Sequence, residues 1–96
     1  MTLGQLMALA RTAFPTGVNR NCSIVKVLVK RWGLEETEAM VKGAQLLGWD
    51  SLIALNAREG VGRRLARSAY WARENSRKHV PQSLGQILKR ALEEAS

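Results

Sequence analysis

The residues best suited to chemistry in this chain are arginines set among aromatics. Between Arg58 and Lys78 stand seven of the fifteen basic residues, against only Glu59 and Glu74. That stretch carries net charge +5, most of the +7 of all 96 residues, and it also holds Tyr70 and Trp71. Cations interleaved with aromatics at helical spacing suit a ligand made of phosphates and bases. Arginine outnumbers lysine there, and its planar fork suits phosphate and base-edge contacts. The plain alternative is a solvated helix in an arginine-rich protein.

The rest of the charge is zoned. Residues 11–31 hold Arg11, Arg20, Lys26, Lys30 and Arg31 with no acid, and residues 32–57 set Lys42 against Glu35, Glu36, Glu38 and Asp50. Residues 79–96 balance to zero. Such alternation predicts either two basic surfaces with an acidic one between them, or one basic face assembled from two helices.

Other chemistries lack their residues. One histidine, His79, and one cysteine, Cys22, cannot build a zinc site from the usual ligands or a disulfide within the chain. Glu35, Glu36 and Glu38 read as a helix start, where the helix dipole favours acids. Gly60-Val61-Gly62-Arg63-Arg64 lacks the Lys-Ser/Thr pair of a phosphate-binding loop and follows no strand. The expectation is a protein that is not an enzyme and takes no cofactor or metal.

Length and composition fit one helical domain spanning 1–96, with 46% apolar and 24% charged residues arguing against disorder. A lone cysteine suggests a reducing cytoplasm, with Asn21-Cys22-Ser23 matching a glycosylation acceptor by coincidence. No stretch approaches the roughly 18 apolar residues of a membrane span. The first ten residues lack the cationic start of a signal peptide.

The elements that position the arginines punctuate as helices, and the expected class is all-α: a compact bundle of roughly five or six short helices. Thr2 and Gln5 form a capping box for a first helix that carries Leu3, Leu6, Met7, Ala10, Ala13 and Phe14 up to Pro15. A polar loop over 16–21 leads to a second helix near 22–32, with Ile24, Val25, Leu28 and Trp32 on one side and Gly33 at its end. Its β-branched residues also allow a strand, but a lone strand would have no partner. A third helix covers about 35–47 and ends at Gly48. A short fourth carries Leu52, Ile53 and Leu55 up to Gly60. The fifth runs from about Gly62 to Lys78. After Pro81, a capping box at Ser83 and Gln86 starts a last helix with the stripe Leu84, Ile87, Leu88, Ala91 and Leu92.

Wound at about 100° per residue, the fifth helix gathers Leu65, Ala69, Ala72 and Ser76 on a narrow inner face. Arg63, Arg67, Tyr70, Glu74 and Lys78 run down the opposite side, with Arg64, Trp71 and Asn75 on the flank. A membrane-surface helix would need larger apolar residues. Trp71 is expected either to stack on a base or to cover the core edge beside Trp49 or Trp32. The fourth and fifth helices suggest a helix-turn-helix, with Gly60 and Val61 in the turn, Ala66 and Ala69 inside, and Arg63, Arg64, Arg67 and Ser68 at the reading front. Asn56 and Glu59 fit that pattern poorly. A rival motif across Gly33 would put Glu35, Glu36 and Glu38 against phosphates.

The expected function is nucleic-acid binding, DNA before RNA, through Arg63, Arg64 and Arg67. Arg58 and Lys78 would touch the backbone, Trp71 would assist, and Lys26, Lys30 and Arg31 would extend the patch. The alternative is a helical assembly subunit whose basic face docks an acidic protein or a second copy. An apolar-centred patch with a charged rim would favour protein, and a continuous basic groove would favour nucleic acid.

Overall fold

The structure, a computed structural model, describes residues 1–76. Lys78 and the helix expected after Pro81 lie outside the described residues. Within them all regular structure is helical: α1 (Leu3–Ala13), α2 (Val18–Leu46), a single 3-10 turn (Ile53–Asn56) and α3 over 61–76. The all-α class holds, and the strand alternative for 22–32 falls. The helix count does not hold. The expected second and third helices form one α2, bent at Gly33 (φ 89°, ψ 169°), and the expected fourth is only the 3-10 turn.

The capping box forms as expected. Gln5 N donates to Thr2 Oγ1 at 3.2 Å, and Thr2 N donates to Gln5 Oε1 at 2.9 Å. Pro15 supplies no N–H for a further turn, and α1 gives way at Phe14. Leu6, Ala10 and Phe14 meet Ile24, Val25 and Leu28 from the first limb of α2 (18–32), and Met40, Val41 and Ala44 from the second (34–46). Leu52, Leu55 and Ala66 close this core. Trp32, expected beside Leu28, is instead 40% exposed.

Asn21 joins three segments. It was expected in a polar loop, yet it is fully buried in the first turn of α2. Its Nδ2 donates to Phe14 O and Thr16 O, both at 3.0 Å, and its Oδ1 accepts from Leu52 N at 3.0 Å. One amide thus ties the end of α1, the loop and the segment before the 3-10 turn. With its nitrogen buried and committed, Asn21 offers no acceptor for a glycan. Nearby, Thr16 N donates to Asp50 O at 3.2 Å.

The bend is also secured by a side chain. Buried Thr37 donates from Oγ1 to Gly33 O at 2.7 Å, supplying a partner to a carbonyl at the break. Beyond the bend, α2 meets α3 through small residues. Gly43 lies directly against the Ala66 backbone, and a Cβ there would overlap the Ala66 carbonyl. Gly62 abuts the Ala54 carbonyl in the same way. Close approach at these two points sets the rotation of α3.

Candidate nucleic-acid interface

That rotation corrects the expected facing of α3. Gly62 and Ala66 are buried, Ala69 is half-buried, and Leu65, Ala72 and Ser76 are exposed. Arg63, Tyr70 and Glu74, expected toward solvent, are half-buried instead. The small-residue contact with Gly43 chose the inner side, because a helix turns its smallest residues to the closest neighbour.

The arginines expected to read bases are engaged within the protein. Arg63 Nη1 donates to Leu55 O at 3.0 Å and to Ala57 O at 2.7 Å, satisfying carbonyls at the end of the 3-10 turn. Its guanidinium carbon also lies 4.9 Å from the Trp32 ring centroid. Arg67 Nε pairs with Glu36 Oε2 at 2.7 Å, across to the second limb of α2. Arg64 is exposed, with one long bond from Nη2 to Glu59 O at 3.4 Å. Of the expected reading front, Arg63 is turned inward and Arg67 is paired with Glu36, while Arg64 and Ser68 are exposed. A helix-turn-helix also needs a full first helix, where this chain has one 3-10 turn.

The two basic blocks do meet, at Trp32. Arg31 lies 5.8 Å from the ring centroid, beside the Arg63 contact. Around them a shallow cleft of about 230 Å3 is lined by Trp32, Glu36, Met40, Glu59, Gly60 and the three arginines of early α3. The Arg67–Glu36 pair and the Arg63–Trp32 contact join α3 to α2 at this cleft, and the arginine–carbonyl bonds join α3 to the segment that precedes it. Trp71 touches neither Trp49 nor Trp32. It packs edge-on against Tyr70, with centroids 4.9 Å apart and planes at 67°, and it is 38% exposed.

The first limb of α2 presents four exposed cations. Arg20, Lys26, Lys30 and Arg31 are all exposed, and none has a carboxylate partner among the described residues. Helical winding puts Lys26 and Lys30 opposite buried Leu28, whereas Arg20 and Arg31 stand about a quarter-turn or more away, at the edge beside buried Ile24. The limb is roughly 22 Å long at 1.5 Å per residue. Arg58, in the loop before α3, is also exposed and without a carboxylate partner. Arg20 was legible only as a member of the acid-free block, and nothing in the sequence marked Trp32 as exposed. Among the described residues no three His, Cys, Asp or Glu side chains come together as a metal site would require. No described helix is long and apolar enough to cross a membrane.

No protein-family model matches the chain, and neither does any curated protein or solved structure.

Proposed function

We infer that the protein is a non-enzymatic nucleic-acid-binding domain that grips the phosphate backbone along the first limb of α2. The observation that carries this is the set of Arg20, Lys26, Lys30 and Arg31, all exposed on one limb of α2, with no acid between residues 11 and 31. Free cations grouped in this way release the counterions of a phosphate backbone, which is the main source of affinity for duplexes. Arg58 and Arg64 supply further contacts near the start of α3. Arg63 and Arg67 act indirectly, by holding Trp32 and Glu36 and so fixing the bend between the limbs. DNA is favoured because the major groove of B-form DNA admits a helix, whereas that of A-form RNA is too deep and narrow. The limb offers cations for phosphates and few groups for base edges, so binding should be weakly selective for sequence. The single Cys22 suits a cytoplasmic setting.

The test is a titration of labelled duplex at several salt concentrations. Four to six neutralised phosphates, counting Arg58 and Arg64, predict a log–log slope of about −3.6 to −5.4, and Lys26→Ala or Lys30→Ala should each flatten it by about 0.9. Arg67→Ala should leave the slope unchanged. A slope near zero, or no binding at low salt, sinks the reading.

A further inference from the structure

Winding sets Trp32 beside buried Leu28 and Val25 on α2, yet it stands at the bend, one residue before Gly33, and is 40% exposed. On a side chain of this size that leaves roughly 100 Å2 in contact with water. The ring is nonetheless held in place. Arg63 lies over it with the guanidinium carbon 4.9 Å from the centroid, and is itself tied to the Leu55 and Ala57 carbonyls. Against Arg63 lies Gly60 (φ 73°), where a Cβ would come within 2.8 Å of Nη2 and push the guanidinium aside. An exposed aromatic ring fixed by its neighbours is a stacking platform that needs little ordering when a planar ligand arrives.

The cleft beside the ring also presents a carboxylate and two cations. Glu59 and Arg64 both line it, and both are exposed. Glu59 pairs with no cation among the described residues, whereas Glu36, the other acid in the cleft, is occupied by Arg67 at 2.7 Å. Arg64 is held beside Glu59 through the Glu59 carbonyl, and Arg31 lies 5.8 Å from the ring centroid. Neither cation has a carboxylate partner among the described residues. The volume of about 230 Å3 is below the roughly 300–1,000 Å3 of pockets that enclose a drug-sized ligand. It suits a single base.

We propose that this cleft takes one unpaired guanine of a nucleic-acid strand. The base stacks on the open part of the Trp32 ring, and the flanking phosphates meet Arg64 and Arg31. Glu59 chooses the base. A carboxylate only accepts hydrogen bonds, and guanine is the DNA base with two adjacent donors, N1–H and N2–H, on its Watson–Crick edge. Adenine and cytosine set an acceptor beside their donor there, and thymine flanks its one donor with acceptors. That edge is free only in an unpaired base, so selectivity on a paired duplex stays weak. Resting on the reading of the protein as a nucleic-acid binder, the site adds a base to the phosphates held along α2.

The experiment titrates the full chain into fluorescein-labelled hexathymidylate, plain or with one central thymine replaced by guanine or adenine, read by anisotropy, with a fully paired duplex alongside. The guanine strand is expected to bind about tenfold tighter than the other two. Trp32→Ala should remove this advantage and leave duplex affinity unchanged, at a temperature where parent and variant are both folded. Glu59→Gln should level guanine with adenine, since the amide offers one donor and one acceptor in place of two acceptors. Its side chain is exposed, so it should melt with the parent and decides the matter even if Trp32→Ala does not fold. Absent or equal binding of the three strands overturns the proposal, as does a guanine advantage that survives either variant. Free deoxyguanosine monophosphate binding as tightly as the strand would assign the cleft to a mononucleotide and overturn it too. Salt-dependent duplex binding with no guanine advantage sinks the cleft alone. A Trp32-dependent guanine advantage without duplex binding supports the cleft and sinks the phosphate grip along α2.

Discussion

Replacing Arg63 with alanine separates an arginine that holds the fold from one that touches a ligand. Its guanidinium donates to two carbonyls, at 3.0 and 2.7 Å, and lies 4.9 Å from the Trp32 ring centroid. A hydrogen bond from a charged donor contributes roughly 1.5–3 kcal/mol net. One acceptor here is part-buried and the other exposed, so about 1.5 kcal/mol for the two together is the appropriate scale. The contact with a partly exposed tryptophan adds about 0.5–1 kcal/mol. The expected loss is thus about 2–2.5 kcal/mol, and at ~4–8 °C per kcal/mol for a domain of this size the melting temperature should fall by about 8–20 °C. Urea and thermal unfolding, followed by circular dichroism and tryptophan fluorescence, measure this directly. Duplex affinity is then compared at a temperature where parent and variant are both folded, and should be unchanged. Arg63→Lys should recover little, because an ammonium cannot bond both carbonyls and stack on the ring at once. An unchanged melting temperature with a tenfold loss of duplex affinity would refute the reasoning and return Arg63 to the ligand surface.

Asn21→Ala should destabilise by roughly 3 kcal/mol or more, since it leaves the Leu52 N–H and two carbonyls without their partner; a shift in urea midpoint measures it. Gly43→Ala should cost about 1–3 kcal/mol by forcing α2 and α3 apart. Adding Ala66→Gly should not rescue it, because the obstruction is the Ala66 carbonyl and not its methyl group. Melts with and without chelator and reductant should coincide, as expected for a chain with one cysteine and one histidine.

Local signals in the sequence suffice to place their elements, and long-range ones do not. The Thr2–Gln5 box, the stop at Pro15 and the change of direction at Gly33 each depend on a few neighbouring residues, so their types suffice to place them. Gly33 was legible as a helix end, but not as a bend that leaves one helix continuing into the next. Asn21 looked like loop material because its partner Leu52 is remote in sequence, and polarity alone gives no sign of a satisfied buried amide. The inner side of α3 is rotated by less than a quarter-turn from the one expected, for a related reason. Sorting side chains by polarity sends Arg63 and Tyr70 to solvent, yet an arginine can bury its stem, lie on an aromatic ring and still bond carbonyls. What set the rotation was size: Gly43 admits the α3 backbone only where Gly62 and Ala66 face inward. The basic character was legible, whereas the division of cations between internal contacts and free positions required knowing which carboxylates and carbonyls lie near them.

The bond from Leu52 to Asn21 spans 31 residues, and that distance along the chain bears on timing. Contacts between α1 and the start of α2 close short loops and can form early. The Asn21 amide receives its third partner only after both limbs of α2 have formed and the chain has returned past Gly48. Contacts with such long loops tend to be made after the rate-limiting step of folding. Loss of a late contact leaves the forward rate nearly untouched and speeds the reverse one. The bond from Leu52 to Asn21 then acts as a latch: it has little influence on how fast the chain closes, and much on how long it stays closed.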